Sequence, residues 1–414
     1  MEEIFFLREV TMKFRNIRAA LTGAVAIAAV TLLASCASTG STGGTSKVPD
    51  RSVELVKDMR IGWNLGNTLD AFEDGARNQG VASETCWGQP KTTPEMFKGL
   101  YRSGIRTVRI PITWHNHIAD NNYTIDPDWM ARAKEIVGYA LDAGLYVIIN
   151  SHHDTAAIAN FSYAEGYYPL HDSRNPSIAF LTRVWEQVSE AFKDYDNHLI
   201  FELMNEPRLR GHEREWWYDA ENVDCKNALK EICDYEQRCL DVIRKSGGNN
   251  ANRYVMVPGY VASPWGAMND VFKLPKDSAA DRLVVAVHAY DPWVFAGEHP
   301  GVKEFTDEAR EGIKSTFDKL GETFVQKGIG VVVGECGATN KNNLDQREAW
   351  FRYYFGNAKR NGITAIMWDN GSAEVGADGN TSEHYGYYNR TEQKWYFPSL
   401  LKAALDGVAD GERK

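Results

Sequence analysis

The chain has 414 residues, 43% of them hydrophobic and 25% charged, with a formal net charge of −10. Those proportions are those of a soluble globular protein and exclude a fibrous or low-complexity chain. The negative balance argues against nucleic acid and anionic membrane surfaces as partners, whereas an uncharged polymer makes no electrostatic demand.

In chain order, the first feature is a leader. Lys13, Arg15 and Arg18 precede a charge-free apolar stretch, Ala19 to Ala34, that closes on Leu33-Ala-Ser-Cys36. A secretory signal peptide has this order of parts. The terminal cysteine resembles the lipobox of bacterial lipoproteins. That resemblance implies a signal peptide over 1–36, with Cys36 acylated as the mature N-terminus. The protein is then exported and held to the bacterial cell envelope, the outer membrane being expected, through its lipid alone. The plainer reading is an ordinary signal peptide with a coincidental cysteine. Met12 makes a better start than Met1, because Glu2, Glu3 and Glu9 spoil a basic leader. Residues 37–47, rich in Gly, Ser and Thr, read as a flexible tether. From 48 to 408 the composition is that of one globular domain, with no further stretch fit to span a membrane.

Eight short apolar, β-branched runs follow, separated by amphipathic stretches. They are Met59–Leu65, Thr107–Ile110, Leu145–Asn150, Leu199–Met204, Arg253–Val257, Leu283–His288, Gly330–Gly334 and Thr364–Trp368. Trp129–Ala143, Ile178–Asp194 and Leu344–Asn361 read as helices. Buried strands alternating with helices predict a parallel sheet, and eight such units predict an α/β fold of the (β/α)8 TIM-barrel type. A doubly wound sheet is the runner-up, but no glycine-rich phosphate turn follows the first strand.

Polar residues gather at the C-terminal ends of these strands: Asn67, Arg109, His152, Asn205 with Glu206, His288 with Tyr290, Glu335, and Trp368. Active sites of this barrel lie at that face. Glu206 and Glu335, three strands apart, are a pair of carboxylates of the kind glycoside hydrolysis requires, although either alone reads as a cap or a salt-bridge partner. Thr107 and Arg109 share one face of their strand and Val108 and Ile110 the other, so Arg109 should point into the barrel. A buried arginine needs an anion. Glu335 is the candidate, with Asp154 or Asp70 as structural alternatives. His152 and His153, adjacent on an extended strand, should point to opposite sides and so not share a metal. No metal and no cofactor is expected. His288 and Tyr290 share a face near Glu335, though a lone strand histidine is more often core. Trp368 is either a barrel plug or a platform under a sugar, and the same ambiguity covers Trp87, Trp114, Trp265 and Trp293. Cys86, Cys225, Cys233, Cys239 and Cys336 are odd in number. A local bridge among the middle three is open, and no spacing suggests zinc.

Taken together these residues resemble glycoside hydrolase family 5, the cellulase family. The motifs are Gly62-Trp-Asn-Leu-Gly-Asn67, Val108-Arg-Ile-Pro111, His152-His-Asp154, Met204-Asn-Glu-Pro207, His288-Ala-Tyr290, Gly334-Glu335 and Met367-Trp368. The opening motif resembles the branch rich in endoglucanases, xyloglucanases and mixed-linkage glucanases. The resemblance implies a retaining endo-β-1,4-glucanase with Glu206 as acid/base and Glu335 as nucleophile. Arg109, His152, Asn205, His288 and Tyr290 fall on its supporting residues. Asn67, Asp70, His153 and Trp368 fall on its substrate contacts. It also implies a cis peptide after Trp368. The partner expected is a β-glucan, and the chain is expected to be a monomer. Xyloglucan, mixed-linkage glucan and mannan are alternative substrates. A catalytically dead glycan-binding lipoprotein is the rival from another class.

Overall fold

The computed structural model describes residues 48–73, 78–156, 166–375 and 379–413. The leader, Cys36 and the tether lie outside these residues. Helix α1 (Ser52–Met59) is followed by β1 (Ile61–Asn64), α2 (Pro94–Arg102), β2 (Thr107–Ile110), α3 (Pro127–Asp142) and β3 (Tyr146–Asn150). Next come α4 (Arg174–Phe192), β4 (Leu199–Glu202), α5 (Val223–Lys245), β5 (Val255–Pro258), the single turn α6 (Pro264–Ala267) and β6 (Leu283–His288). The chain continues through a second turn α7 (Trp293–Ala296), α8 (Asp307–Thr323), β7 (Gly330–Cys336), α9 (Leu344–Arg360) and β8 (Thr364–Met367). A short hairpin, β9 (Tyr388–Asn389) and β10 (Lys394–Trp395), leads to α10 (Pro398–Glu412), which packs along α9.

The eight strands close a barrel in sequence order, all parallel, with β1 returning to β8 through Ile61↔Ala365 and Gly62↔Ile366. Alternation along the strands divides two cores. Ile148, Ile200, Met256, Ala286, Val332 and Ile366 fill the barrel axis, and Leu55, Val56 and Met59 of α1 close its bottom. Their neighbours Val147, Phe201, Val257, Val285 and Val333 face the helices. Three interlocks hold α1 in place. Thr107 Oγ1 donates to Met59 O at 2.8 Å, Gly330 N donates to Ser52 Oγ at 3.0 Å, and Thr364 Oγ1 donates to Val56 O. Among the described residues no helix is long and apolar enough to cross a membrane, and Cys86, Cys225, Cys233, Cys239 and Cys336 are free thiols.

One irregularity matters for the site. β7 uses one residue more than its neighbours. Val287 pairs with Val333 but His288 pairs with Glu335, while Val333 pairs with Ala365 and Cys336 with Met367. This is a β-bulge, and it resets the alternation. With Val332 inside and Val333 outside, a regular strand places residue 334 inside and residue 335 among the helices. The bulge brings Glu335 inside as well. Glycine at 334 makes this feasible: a Cβ there would lie 3.2 Å from His288 Nε2 and 3.4 Å from Glu202 Oε1.

Candidate active site

Arg109 is the hub of the barrel mouth, and it points inward as the alternation on β2 predicts. It is fully buried. Its Nη1 donates to Glu335 Oε1 at 2.8 Å and to Asn64 Oδ1 at 3.0 Å. Nη2 donates to Asn205 Oδ1 at 2.6 Å, and Nε donates to Glu202 Oε2 at 2.7 Å. Burial pulls the guanidinium pKa down, but Glu202 and Glu335 outweigh it and raise it above its ordinary value. The expected partner Glu335 is therefore joined by a second carboxylate, Glu202. The alternatives Asp70 and Asp154 are engaged elsewhere. Asp154 Oδ1 accepts from the backbone N–H of Trp114 and His115 at 2.9 and 2.8 Å.

Glu335 is held at both oxygens, Oε1 by Arg109 and Oε2 by the Tyr290 hydroxyl at 3.0 Å. Across the mouth, Glu206 lies on the segment that leaves β4 before Pro207. Its Oε1 meets His288 Nδ1 at 2.8 Å, and with a carboxylate as partner that nitrogen is the donor. The same Nδ1 is 3.6 Å from Glu335 Oε2. One ligand atom from each of Glu206, His288 and Glu335 falls within 4.8 Å of the others. Burial pushes the Glu206 carboxyl up, but the His288 hydrogen bond and the charges of His288 and Arg208 bring it below its usual value. His288 moves the other way. Burial lowers it, and Glu335 with Glu206 lifts it above an ordinary histidine. The proton nearest the carboxylates is thus held by the Glu206–His288 pair.

Asn205 keeps its Oδ1 on Arg109, which turns its amide nitrogen the other way. His152 has a fixed tautomer. Asn150 accepts from Ile112 N through Oδ1 at 3.1 Å, so its Nδ2 is a donor, to Glu202 Oε2 at 2.8 Å and to His152 Nδ1 at 3.1 Å. Nε2 of His152 then carries the hydrogen. Burial holds this imidazole well below the ordinary value, so it is neutral. Its ring lies parallel to Trp368, with centroids 5.7 Å apart.

Three expectations need correction. His152 and His153 do not point apart, because β3 ends at Asn150 and strand alternation no longer governs them. Their rings meet edge to face at 4.4 Å, and an atom from each lies within 4.8 Å of the other and of Asp70. Asp70 is fully buried and does not itself face the groove. Its oxygens accept from Asn67 N at 3.0 Å and Thr68 N at 2.7 Å, stabilising the left-handed backbone of Asn67 (φ 56°). The peptide after Trp368 is trans, and the cis bonds among the described residues fall at Asp291–Pro292 and His299–Pro300. Of the ambiguous tryptophans, Trp114 is core, while Trp265 and Trp293 are half exposed. Trp87 packs with Phe72 and His153 at 5.7 and 5.6 Å on the flank beyond Asn67.

Glu202, Asn64, Asn150 and Arg208 are site residues that the sequence reading passed over. Strand parity gives the first three. Ile200 and Glu202 share a face, as do Ile148 and Asn150, and Gly62 and Asn64. Asn64 Nδ2 also ties the bulge down, donating to Gly334 O at 2.9 Å and Met367 O at 3.1 Å.

Two carboxylates this close at a barrel mouth, each with its own proton-controlling partners, are the apparatus of glycoside hydrolysis, so the class is a barrel glycosidase. The family model of the cellulases, glycosyl hydrolase family 5, matches residues 70–374, and the chain belongs to that family. Endoglucanase B of Ruminococcus albus is 41% identical over 350 residues, 84% of this chain and 78% of that one. A family 5 lichenase from Caldicellulosiruptor sp. F32 superposes with a TM-score of 0.81 at 41% identity, covering 88% of this chain and 97% of its own. A broad-specificity endoglucanase from Ruminococcus champanellensis with bound cellotriose does so with a TM-score of 0.78 at 36% identity, covering 87% and 100%.

Proposed function

We propose that the protein is a retaining endo-β-1,4-glucanase in which Glu335 is the nucleophile and Glu206 the acid/base. The observation that carries this reading is the proximity of the two carboxylates. A carboxylate oxygen of each lies within 4.8 Å of the other, a separation matching double displacement better than the wider gap that admits an inverting water. Glu335 Oε1 is bound by a guanidinium and is the poorer nucleophile, so Oε2, bound only by a phenol, attacks the anomeric carbon. The leaving oxygen takes its proton from Glu206, which receives that proton beforehand from His288 through the 2.8 Å contact. In the second step Glu206, now ionised, draws the proton from a water that displaces Glu335. The neutral His152 and the Asn205 amide are placed to donate to the hydroxyls of the sugar being cleaved.

Relatives named endoglucanases and one bound to cellotriose support a β-glucan substrate, and the lichenase relative favours mixed-linkage glucan as an alternative. The Leu33–Cys36 motif supports lipid anchoring of an exported enzyme. Metabolic labelling with a fatty-acid probe, lost in Cys36→Ala, tests that part. The catalytic reading is tested by reducing-sugar release from carboxymethylcellulose, barley β-glucan, xyloglucan, glucomannan and xylan. The wild type should release sugar from at least the first two. Glu335→Ala should fall about 10⁴-fold or more while folding normally. Wild-type turnover by that variant sinks the assignment.

A further inference from the structure

Two segments far apart in sequence meet at one side of the mouth. The turn over 66–70, after β1, carries Asn67, and the segment after β8 begins with Trp368. Gly66 N donates to Asp369 O at 3.1 Å. A Cβ on Gly66 would lie 2.8 Å from that oxygen and 2.9 Å from Trp368 Cη2, so the indole lies against the turn itself. Behind the seam sits Arg390, which follows β9 and is 3% exposed. Its Nη1 donates to Thr68 Oγ1 and its Nη2 to Asp369 O, both at 2.7 Å. Thr68 Oγ1 donates onward to Gly66 O at 3.1 Å. The half-buried side-chain amide of Asn67 takes no part in these bonds.

Removing an arginine from water is costly, and burial pulls this guanidinium below its ordinary pKa in spite of Asp369 and Asp70. The nearest carboxylate does not need it. Asp369 already accepts from Trp63 Nε1 at 2.7 Å and from the backbone N–H groups of Gly371, Tyr387 and Tyr388 at 2.8, 3.1 and 2.9 Å. Its Oδ1 is 3.6 Å from Arg390 Nη2. Nε of Arg390 has no hydrogen-bond partner among the described residues. Only the two terminal nitrogens are engaged, one on each segment. The planar guanidinium fixes their separation, so the arginine is a rigid spacer where a flexible ammonium would impose no spacing.

We propose that Arg390 is a positioning residue that sets the spacing between the Asn67 turn and the Trp368 indole. Two consecutive glucosyl residues of the half of the chain that Glu335 retains are then held at once, one over Trp368 and the next beside Asn67. The proposal rests on the reading of Asn67 and Trp368 as contacts of that half. Asn67 is remote from the bond that breaks, so its grip raises the rate only if the second sugar is held in register with the first. A drift of about 1 Å between turn and platform forfeits that contribution without touching Glu206 or Glu335.

The test measures what the second sugar adds. For the full-length enzyme, kcat/KM is read by fluoride release from β-glucosyl fluoride and from β-cellobiosyl fluoride, which share one leaving group. The ratio of the two is the gain from the second sugar. Arg390→Lys should lower that ratio about tenfold or more. Thr68→Val removes only the hydroxyl end of the bridge and leaves the arginine in place, and it should lower the ratio about threefold. Loss of folded enzyme, or general damage to the mouth, lowers both substrates alike and leaves the ratio unmoved. In the Asn67→Ala background, Arg390→Lys should lower the ratio little further, because both changes remove one grip. An unmoved ratio in both Arg390→Lys and Thr68→Val, or full additivity with Asn67→Ala, overturns the spacer. Asn67→Ala by itself separates the two readings. If it lowers the ratio and the Arg390 and Thr68 variants do not, only the spacer falls. If it leaves the ratio intact, the reading of Asn67 as a sugar contact falls with it.

Discussion

Arg109 and Arg253 are both completely buried, and the two ends of the barrel treat them in opposite ways. Arg109, near the C-terminal end of β2, binds two carboxylates and two amide oxygens, and its charge is reinforced. Arg253, just before β5 at the other end, touches no carboxylate. It donates to the backbone carbonyls of Phe192, Tyr195, Asp196 and Leu199 and to the Asn250 side chain. Phe192 is the last residue of α4, so the guanidinium serves the unpaired carbonyls of a helix end. Burial outweighs the attraction of Asp196 there, and the group is pushed down to about 9. At the bottom a cation is spread over partial charges and holds the fold together. At the top full charges are crowded beyond what folding requires, which is how a site keeps one carboxylate ionised while its neighbour exchanges a proton.

The largest effect that probes this contrast is at the top. Arg109→Lys should lower kcat about 10²–10³-fold, because a single ammonium cannot serve Glu202, Glu335, Asn64 and Asn205 together. Steady-state kinetics beside a melting curve separates this loss from unfolding. At the bottom, Arg253→Met should lower the unfolding free energy by about 3–5 kcal/mol in urea titrations while kcat of the folded enzyme stays close to wild type. If Arg253→Met cost activity without lowering stability, the division of labour between the two ends would be wrong.

Smaller effects sharpen the picture. Glu236 on α5 is buried with neither carboxylate oxygen hydrogen-bonded, and burial raises its pKa well above the ordinary value. A carboxyl raised in the folded state favours folding at low pH. That contribution is lost as pH climbs from the unfolded value toward the folded one. Glu236→Met should therefore stabilise the enzyme by about 1–3 kcal/mol at pH 8 and by less at pH 5, as read from unfolding at both. The smallest effect concerns Arg208. The Glu206 carboxyl is faced by His288, Arg208, Arg109 and Glu335, and Glu383 is close enough to be raised by it. Arg208→Gln removes one of the charges that lower Glu206, so the alkaline limb of the kcat/KM–pH profile should move to higher pH. A limb that stays or moves down contradicts this electrostatic link.

The barrel was legible because strand and helix periods differ, and all eight strands fall where apolar β-branched runs occur. The inward turn of Arg109 followed from Val108 and Ile110, whose apolar face suits the helices. The same parity on β4 and β1 turns Glu202 and Asn64 inward, but parity alone does not say which partner an inward polar residue meets. Parity failed where the strands had ended, at His152 and His153, and where β7 gains a residue. In the run Val331-Val-Val-Gly-Glu335 only Gly334 hints at a bulge, and its position depends on the fit against β6 and β8. Arg208 lay in a loop whose shape depends on Glu215 and Gly211, a closure that no spacing rule anticipates.

The extra residue in β7 gives the site a phase. Pairing β7 in regular register at its present length would preserve every chemical group of the mouth, yet Glu335 would rotate from the axis into the helical shell, because residue 334 alone would take the inward place. Such a slip is a frameshift in space. Anyone grafting this mouth onto another barrel must transplant its arithmetic along with its side chains.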